Sequence, residues 1–265
     1  VEFKKLDKLK QVSATIISNI KLMPGYHLIG VDAPDIAATS QPGQFVTVKC
    51  GEELTLRRPL SIHQVAKSGQ VYFFFKAIGK GTAWLSLCRK GEKLNILGPL
   101  GKGFSIGPTS KKLLLVAGGI GIAPLTFLAQ QALAQEKSVT LLLGAHAKDE
   151  LYPQKLLPNG IETIVTTEDG SYGEEGKVTD ILSRYVNLAD QIYACGPLAM
   201  YKTIAGERQQ WQDKKSVQVS LEVRMGCGIG ACFSCSIKTK NGMKRVCLDG
   251  PVFNLDDVIL EKVKI

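Results

Sequence analysis

Near its C-terminal end the chain reads Arg224-Met225-Gly226-Cys227-Gly228-Ile229-Gly230-Ala231-Cys232-Phe233-Ser234-Cys235, and a fourth thiol, Cys247, follows after residues 236–246. Gly226, Gly228 and Gly230 suit tight turns and close backbone approach, not a regular helix or strand. The stretch is therefore a loop, and its business is to hold thiols together. The spacing C-x4-C-x2-C with a distant fourth cysteine is that of a two-iron, two-sulfide (2Fe-2S) cluster. The glycines let amide N–H groups aim at the sulfurs, which tunes such a centre. A four-cysteine zinc site is the competing reading, although zinc ribbons prefer two separated C-x2-C pairs. Disulfides or free thiols are a third.

The rest of the chain sets the context. Its 265 residues are long for one core and suit two domains plus a small appendage. Four of the seven cysteines fall in the last 40 residues, and crowded thiols in a reducing compartment point to metal more than to disulfides. The formal charge of +9 is spread along the chain, as a solvated surface or an attraction for anions such as dinucleotides. No basic run interleaved with aromatics suggests nucleic acid. The opening Val1-Glu2-Phe3-Lys4-Lys5 lacks the apolar core of a secretory signal. The most apolar stretch, 113–129, is broken by Gly118, Gly119, Gly121 and Pro124, which argues against a membrane span. A cytoplasmic location is expected.

Three segments of different texture follow one another. Residues 1–105 carry six short apolar runs, VSATIISNI, YHLIGV, QFVTVKC, RPLSIHQV, QVYFFFKAI and KLNILGPLG, separated by turns. That spacing predicts a six-stranded antiparallel barrel, with a short helix from Gly79 to Gly91 before the last strand. Residues 106–216 alternate strand and helix, which predicts a parallel, doubly wound sheet. Residues 217–265 hold the cysteines, with SIKTKNGMKR as an exposed hairpin and GPVFNLDDVIL as a return strand or cover.

Several residues in the first two segments suit anionic ligands. Arg58 can pair with a phosphate, Pro59 stiffens its strand, and Ser61 can hydrogen-bond a ring nitrogen; the plain alternative is a barrel strand with an exposed Arg. Gly79-Lys80-Gly81-Thr82 opens a helix, where free amides attract anions, and Thr82 reads as its cap; a plain capped helix is the alternative. Gly118, Gly119 and Gly121 end a buried strand and start another helix, a geometry that admits a pyrophosphate or is simply a tight turn. Cys195 and Gly196 end a later strand, with Cys195 otherwise a buried small apolar residue. Thr167 to Gly173 can edge the same cleft. His27, His63 and His146 are scattered and form no ligand set.

In this order, the Arg58–Ser61 element, the Gly81–Thr82 turn, GGIGIAP and CGP resemble the ferredoxin–NADP reductase superfamily. The resemblance implies that Arg58, Pro59, Leu60 and Ser61 hold FAD, with Phe74, Phe75 and Lys76 on the next strand and Gly81 and Thr82 at the phosphates. Leu60 stands where an aromatic usually stacks on the flavin. FAD is preferred to FMN because a helix-start phosphate site suits a pyrophosphate. Gly118, Gly119, Gly121, Cys195 and Gly196 would meet NAD, with Cys195 the candidate catalytic residue near the nicotinamide. AHAKDE after the second strand lacks the Arg a 2′-phosphate usually needs, which leans to NAD.

The cysteine segment, with its Cys247-x-Asp249-Gly250-Pro251-Val252-Phe253 return, resembles more narrowly the electron-transfer subunits of type B dihydroorotate dehydrogenase, over nearly the whole chain. That resemblance implies FAD, a 2Fe-2S cluster on Cys227, Cys232, Cys235 and Cys247, and an FMN-containing catalytic partner in a heterotetramer. Electrons would pass from dihydroorotate through the partner's FMN, the cluster and FAD to NAD+, within pyrimidine biosynthesis. A reductase subunit serving ferredoxin or a sulfur or bifurcating complex is the near alternative. A non-catalytic zinc-binding regulator is the far one.

Overall fold

A computed structural model describes residues 9–211, 213 and 215–263. The opening Val1–Lys5 stretch lies outside the described residues. The first segment contains β1 (Lys10–Met23), β2 (Tyr26–Asp32), α1 (Pro34–Ala37), β3 (Phe45–Val48), β4 (Arg58–Ser61), β5 (Gln64–Val65), β6 (Gln70–Lys76), α2 (Lys80–Leu87) and β7 (Lys93–Leu100). The strands form one antiparallel sheet in the order β4-β3-β7-β1-β2-β6-β5.

The sheet's seven strands exceed the six expected, because RPLSIHQV divides in two. β4 pairs with β3 at one edge of the sheet, and β5 pairs with β6 at the other. Only Ile62 and His63 separate them. The Ile62 amide donates to the Gln44 carbonyl on one side (3.0 Å), and the His63 amide to the Tyr72 carbonyl on the other (2.9 Å). These two residues carry the chain directly from one end strand of the sheet to the other, which brings its ends together as a barrel. Ile16, Ile29, Val46, Val48, Ile62, Phe73 and Ile96 fill the interior.

The helix expected to run to Gly91 stops at Leu87. Asn19 of β1 explains the stop: its side-chain amide donates to the carbonyls of Leu85, Ser86 and Cys88 at 3.1, 3.3 and 2.8 Å. That satisfies orphan carbonyls at the helix end and lets the chain leave early. Leu85, fully buried, plugs the barrel from this helix.

The second sheet has the order β11-β10-β9-β8-β12-β13-β16, with β8 (Lys112–Gly118), β9 (Ser138–Ala145), β10 (Ile161–Thr167), β11 (Glu174–Glu175), β12 (Gln191–Cys195), β13 (Val217–Ser220) and β16 (Val252–Asn254). All its pairs are parallel except β13 with β16. α3 (Ile122–Ala134) follows β8, and α5 (Leu198–Glu207) follows β12. The stretch expected to be helical over 178–186 forms one α-turn, α4 (Ser183–Val186). Strand order reverses between β8 and β12, which opens a crevice at their carboxyl ends.

β13 and β16 belong to this sheet, so the expected boundary at 216/217 leaves two of its strands in the third segment. What stands apart is the loop 221–235, the hairpin of β14 (Ser236–Thr239) and β15 (Gly242–Arg245), and α6 (Val246–Asp249). Among the described residues, no helix is long and apolar enough to cross a membrane.

Candidate functional site

The cysteine loop is shaped by glycines at positive φ, Gly228 at 75° and Gly230 at 84°, a region that costs a side chain strain. The amides so exposed point at sulfur. Ala231 N–H and Cys232 N–H donate to Cys227 Sγ (3.2 and 3.4 Å), and Cys227 N–H donates to Cys232 Sγ (3.4 Å). Gly230 N–H donates to Cys247 Sγ (3.1 Å), and Cys247 N–H to Cys235 Sγ (3.4 Å). Cys235 Sγ and Cys247 Sγ lie 3.2 Å apart and are buried. The four thiols thus fall into two pairs, and five amides face them.

This donor set fits a two-iron cluster. Each iron takes two protein thiolates, and the amides balance the negative charge on sulfur. Hydrogen bonds from Ser234 and from the Cys227 amide lower the Cys232 thiol to about 6, which prepares a thiolate. Burial, with the Cys235 thiol alongside, pushes Cys247 up to about 12. A bound cation removes that conflict, since metal ligation deprotonates thiols. Ser234 was not singled out in the sequence, although it sits inside CFSC; its hydroxyl also accepts from Gly226 N–H at 2.8 Å.

The loop rests on the barrel. A Cβ at Gly228 would lie 2.8 Å from the Thr47 methyl. Thr47 is on β3, paired with Pro59 of β4. The cysteine loop is therefore one strand, about 5 Å, from the Arg58–Ser61 element.

In that element the two arginines divide their work. Arg57 is structural: its guanidinium donates to the Thr47 and Asn95 carbonyls (both 3.2 Å) and to Asn95 Oδ1 (2.5 Å). Arg58 instead lies against the start of α2, where a Gly81 Cβ would be 2.5 Å from its Nε. The structure thus brings together a guanidinium and a helix N-terminus, two anion-binding groups that the sequence separates by some twenty residues. Thr82 is not the cap expected. Gly79 occupies the N-cap, and the Thr82 hydroxyl reaches back to accept from the Ile78 and Gly79 amides (3.1 and 3.2 Å). Leu60, 7% exposed, packs in the barrel core, while Pro59 and Ser61 are half-buried. Phe74 and Phe75 are both core residues. Lys76 faces Glu150 at 3.5 Å and lies over the Tyr26 ring at 4.7 Å, so it ties the barrel to the second domain.

The crevice of the second sheet is a cleft of about 510 Å³. Gly118, Gly119 and Gly121 line it on the β8 side, Gly196 and Pro197 on the β12 side. Gly119 has φ 54° and open space where a Cβ would go, so its backbone is bare to a ligand. Gly121 serves packing: a Cβ there would stand 1.9 Å from the Cys195 carbonyl oxygen. These are the close-approach and helix-packing requirements of a dinucleotide turn. The Cys195 side chain does not reach the cleft. It is 1% exposed, donates to the Ser220 carbonyl at 3.7 Å, and burial raises its pKa far above an ordinary thiol's. A buried neutral thiol is no nucleophile.

Three further residues carry the site without any local sequence signal. Tyr201 Oη accepts from Gly196 N–H (3.0 Å) and donates to the Ser220 carbonyl (2.5 Å), which fixes the CGP turn. Glu222 opens onto the cleft, yet the protein mass around its carboxyl raises its pKa. His63 is fully buried; its Nδ1 lies 2.9 Å from the Ala123 carbonyl and its Nε2 2.9 Å from Tyr152 Oη. A carbonyl only accepts, so Nδ1 carries the proton and Nε2 accepts from the tyrosine. Burial lowers this imidazole to about 4. The residue that closes the barrel is thereby bonded to the first turn of α3, beside the dinucleotide turn.

Comparison with known proteins agrees with this geometry. Residues 222–259 match the iron-sulfur cluster binding domain of dihydroorotate dehydrogenase B, and residues 115–206 match an oxidoreductase NAD-binding domain. A protein of Desulforamulus reducens named "Dihydroorotate dehydrogenase B (NAD(+)), electron transfer subunit" is 38% identical over 262 residues, covering 95% of this chain and 99% of its own. Its namesake in Geobacillus thermodenitrificans is 38% identical over 93% of this chain and 97% of its own. Among solved structures, one described as an NADH-dependent reduced ferredoxin-NADP oxidoreductase, studied for flavin-based electron bifurcation, superposes with a TM-score of 0.85 at 28% identity, over 95% of this chain and 91% of that one. The ferredoxin reductase of carbazole 1,9a-dioxygenase shares the fold, with a TM-score of 0.67 at 20% identity over 79% of this chain and 69% of its own. This chain belongs to the family of electron transfer subunits of dihydroorotate dehydrogenase B.

Proposed function

We propose that this chain is the electron transfer subunit of an NAD+-linked dihydroorotate dehydrogenase. The observation that carries the reading is the continuity of three sites: a four-thiol loop, packed on β3 beside the Arg58–Ser61 element, and joined through Glu222 and Leu221 to the dinucleotide cleft. When bound, a 2Fe-2S cluster moves single electrons, and FAD joins them to the two-electron chemistry of a nicotinamide.

The chain's own groups set the conditions for that chemistry. Cys227, Cys232, Cys235 and Cys247 would hold the cluster, with the amides of residues 227, 230, 231, 232 and 247 facing the sulfurs. Arg58 and the first amides of α2 would hold the phosphates of a bound flavin, and Pro59 and Ser61 would hold its remainder. The Gly119 backbone and the start of α3 receive the NAD pyrophosphate. Tyr201 orients the Gly196 amide where the nicotinamide enters. Cys195 acts through its backbone, as the surface against which Gly121 packs. His63 holds the barrel against α3, so the two nucleotide sites keep one relative orientation. The partner is an FMN-bearing catalytic subunit, in the two-plus-two assembly that the family resemblance implies, and the location is cytoplasmic, where reduced thiols persist.

A purified sample should show flavin bands, a broad red-brown absorption and about two irons per chain. Zinc without iron refutes the cluster. With the catalytic partner present, Cys232→Ala should abolish NAD+-dependent orotate formation while flavin stays bound. The structural likeness to a bifurcating reductase supports a second reading, a reductase subunit in another complex. Co-purification from the native host distinguishes them: a partner that oxidises dihydroorotate supports the first reading, and any other redox partner the second.

A further inference from the structure

We infer that the Thr47 hydroxyl donates a hydrogen bond to a sulfur of the bound iron-sulfur cluster and so raises the cluster's reduction potential. The inference rests on reading the four-thiol loop as the cluster site. Thr47 belongs to β3, whose alternation divides its residues between two faces. Val46 and Val48 point into the barrel, so Phe45 and Thr47 point out of it. Phe45 shows what lies on that side, since it shares one packed core with Cys235 and Cys247. Thr47 meets the loop itself: its methyl carbon would lie 2.8 Å from a Cβ placed on Gly228, the residue after Cys227. Leu100 borders the same spot, 3.6 Å from that position.

Thr47 is 2% exposed, and its Oγ1 has no hydrogen-bond partner among the described residues. A buried hydroxyl without a partner is costly, and native interiors rarely keep one. The polar groups beside it are already committed. The Thr47 carbonyl accepts from the Arg57 guanidinium at 3.2 Å, and the same guanidinium holds the Asn95 carbonyl and side chain. The acceptor is therefore supplied by a bound group, on the face that is turned to the thiols.

The five amides that face the thiols all come from the cysteine loop and α6. Thr47 adds a donor from the barrel. A donor to sulfur favours the more negative, reduced form of such a centre, which raises its potential. Pro59 stands opposite Thr47 on β4, so a bound flavin is the competing acceptor.

The test is a redox titration of the full chain with its cofactors bound, following the reduced cluster by EPR and the flavin by absorbance. The proteins are the wild type, Thr47→Val, Thr47→Ser and Thr47→Ala. Val keeps the branched shape and the methyl against Gly228 but cannot donate; Ser keeps the donor and loses the methyl. Val and Ala should shift the cluster's one-electron equilibrium toward the oxidised form by about tenfold, a fall of about 59 mV. Ser should stay within about twofold of the wild type, and the flavin potential should hold in all three. Should Val fail to retain iron, Ser against Ala carries the same contrast, because those two differ only in the hydroxyl. A packing role predicts a shift in Ser and none in Val, and that result overturns the inference. So does a cluster equilibrium that stays within about twofold in Val and Ala, or a shift that falls on the flavin instead. A wild type without iron removes the cluster reading itself, and this inference with it.

Discussion

His63 should give the protein an acid-sensitive step that a single substitution removes. The ring is fully buried between the Ala123 carbonyl and Tyr152 Oη, and its pKa falls from 6.5 to about 4. Above pH 6.5 it is neutral in both the folded and the unfolded chain and costs nothing. As the pH falls below 6.5, the unfolded chain takes up a proton that the folded one refuses. The unfolded state then binds more protons, so stability declines as the pH falls, and the decline ends only below the folded pKa. Between about pH 7.5 and about pH 5.5 this group alone should remove about 1.4 kcal/mol, a tenfold change in the unfolding equilibrium. The assay is urea unfolding of the flavin-loaded protein at the two pH values, for the wild type and for His63→Gln. Gln can still accept from Tyr152 but does not titrate, so its unfolding free energy should fall less than the wild type's by about that amount. Other groups titrate equally in both proteins and cancel in the comparison. If the two pH dependences superimpose, His63 is not held neutral by the contacts described.

Two further substitutions probe the nucleotide sites separately. Gly121→Ala places a methyl 1.9 Å from the Cys195 carbonyl oxygen, where backbone must move; such overpacking costs about 1–3 kcal/mol, and the KM for NADH should rise by about tenfold or more, read in dye reduction. Arg58→Ala removes a charge-assisted contact worth about 1.5–3 kcal/mol, and should weaken flavin retention by roughly 10- to 100-fold, measured as released flavin fluorescence with the iron content unchanged.

The parts of the site legible in the sequence are those whose chemistry is local. Cys227, Cys232 and Cys235 share a loop, and the glycines between them have a stated conformational purpose, so spacing alone pointed to a cluster. The hairpin 236–245 was legible for the same reason: two short runs flank Lys240-Asn241, and the register Thr239↔Gly242 follows. The dinucleotide turn was half legible. Its glycines were visible, but not that Gly119 is left open to the cleft while Gly121 packs on the Cys195 carbonyl, because that distinction depends on a strand some 75 residues away. Cys195 misled for the converse reason. A cysteine at a strand's carboxyl end has the right address for a reacting group, but the strand's alternation turns its side chain away from the cleft and into the core.

What no local pattern could show is how the parts are held in relation to one another. RPLSIHQV looks like one strand because every residue in it tolerates the extended conformation. It becomes two because Ile62 and His63 each find a different partner, Gln44 on one sheet edge and Tyr72 on the other. That division closes the barrel, and it also points the His63 ring outward to Ala123 and Tyr152, residues of the second domain. Had the run stayed a single strand, the barrel would keep two open edges, and α3 would lose a buried, fully hydrogen-bonded contact to the barrel beside the Gly118–Gly121 turn. The same short segment therefore begins with Arg58, which lies against the start of α2, and carries His63, which bonds the barrel to α3. A flavin and a nicotinamide react only when their rings are brought into register. The physical link between their two sites runs through eight residues whose composition says only that they form a strand.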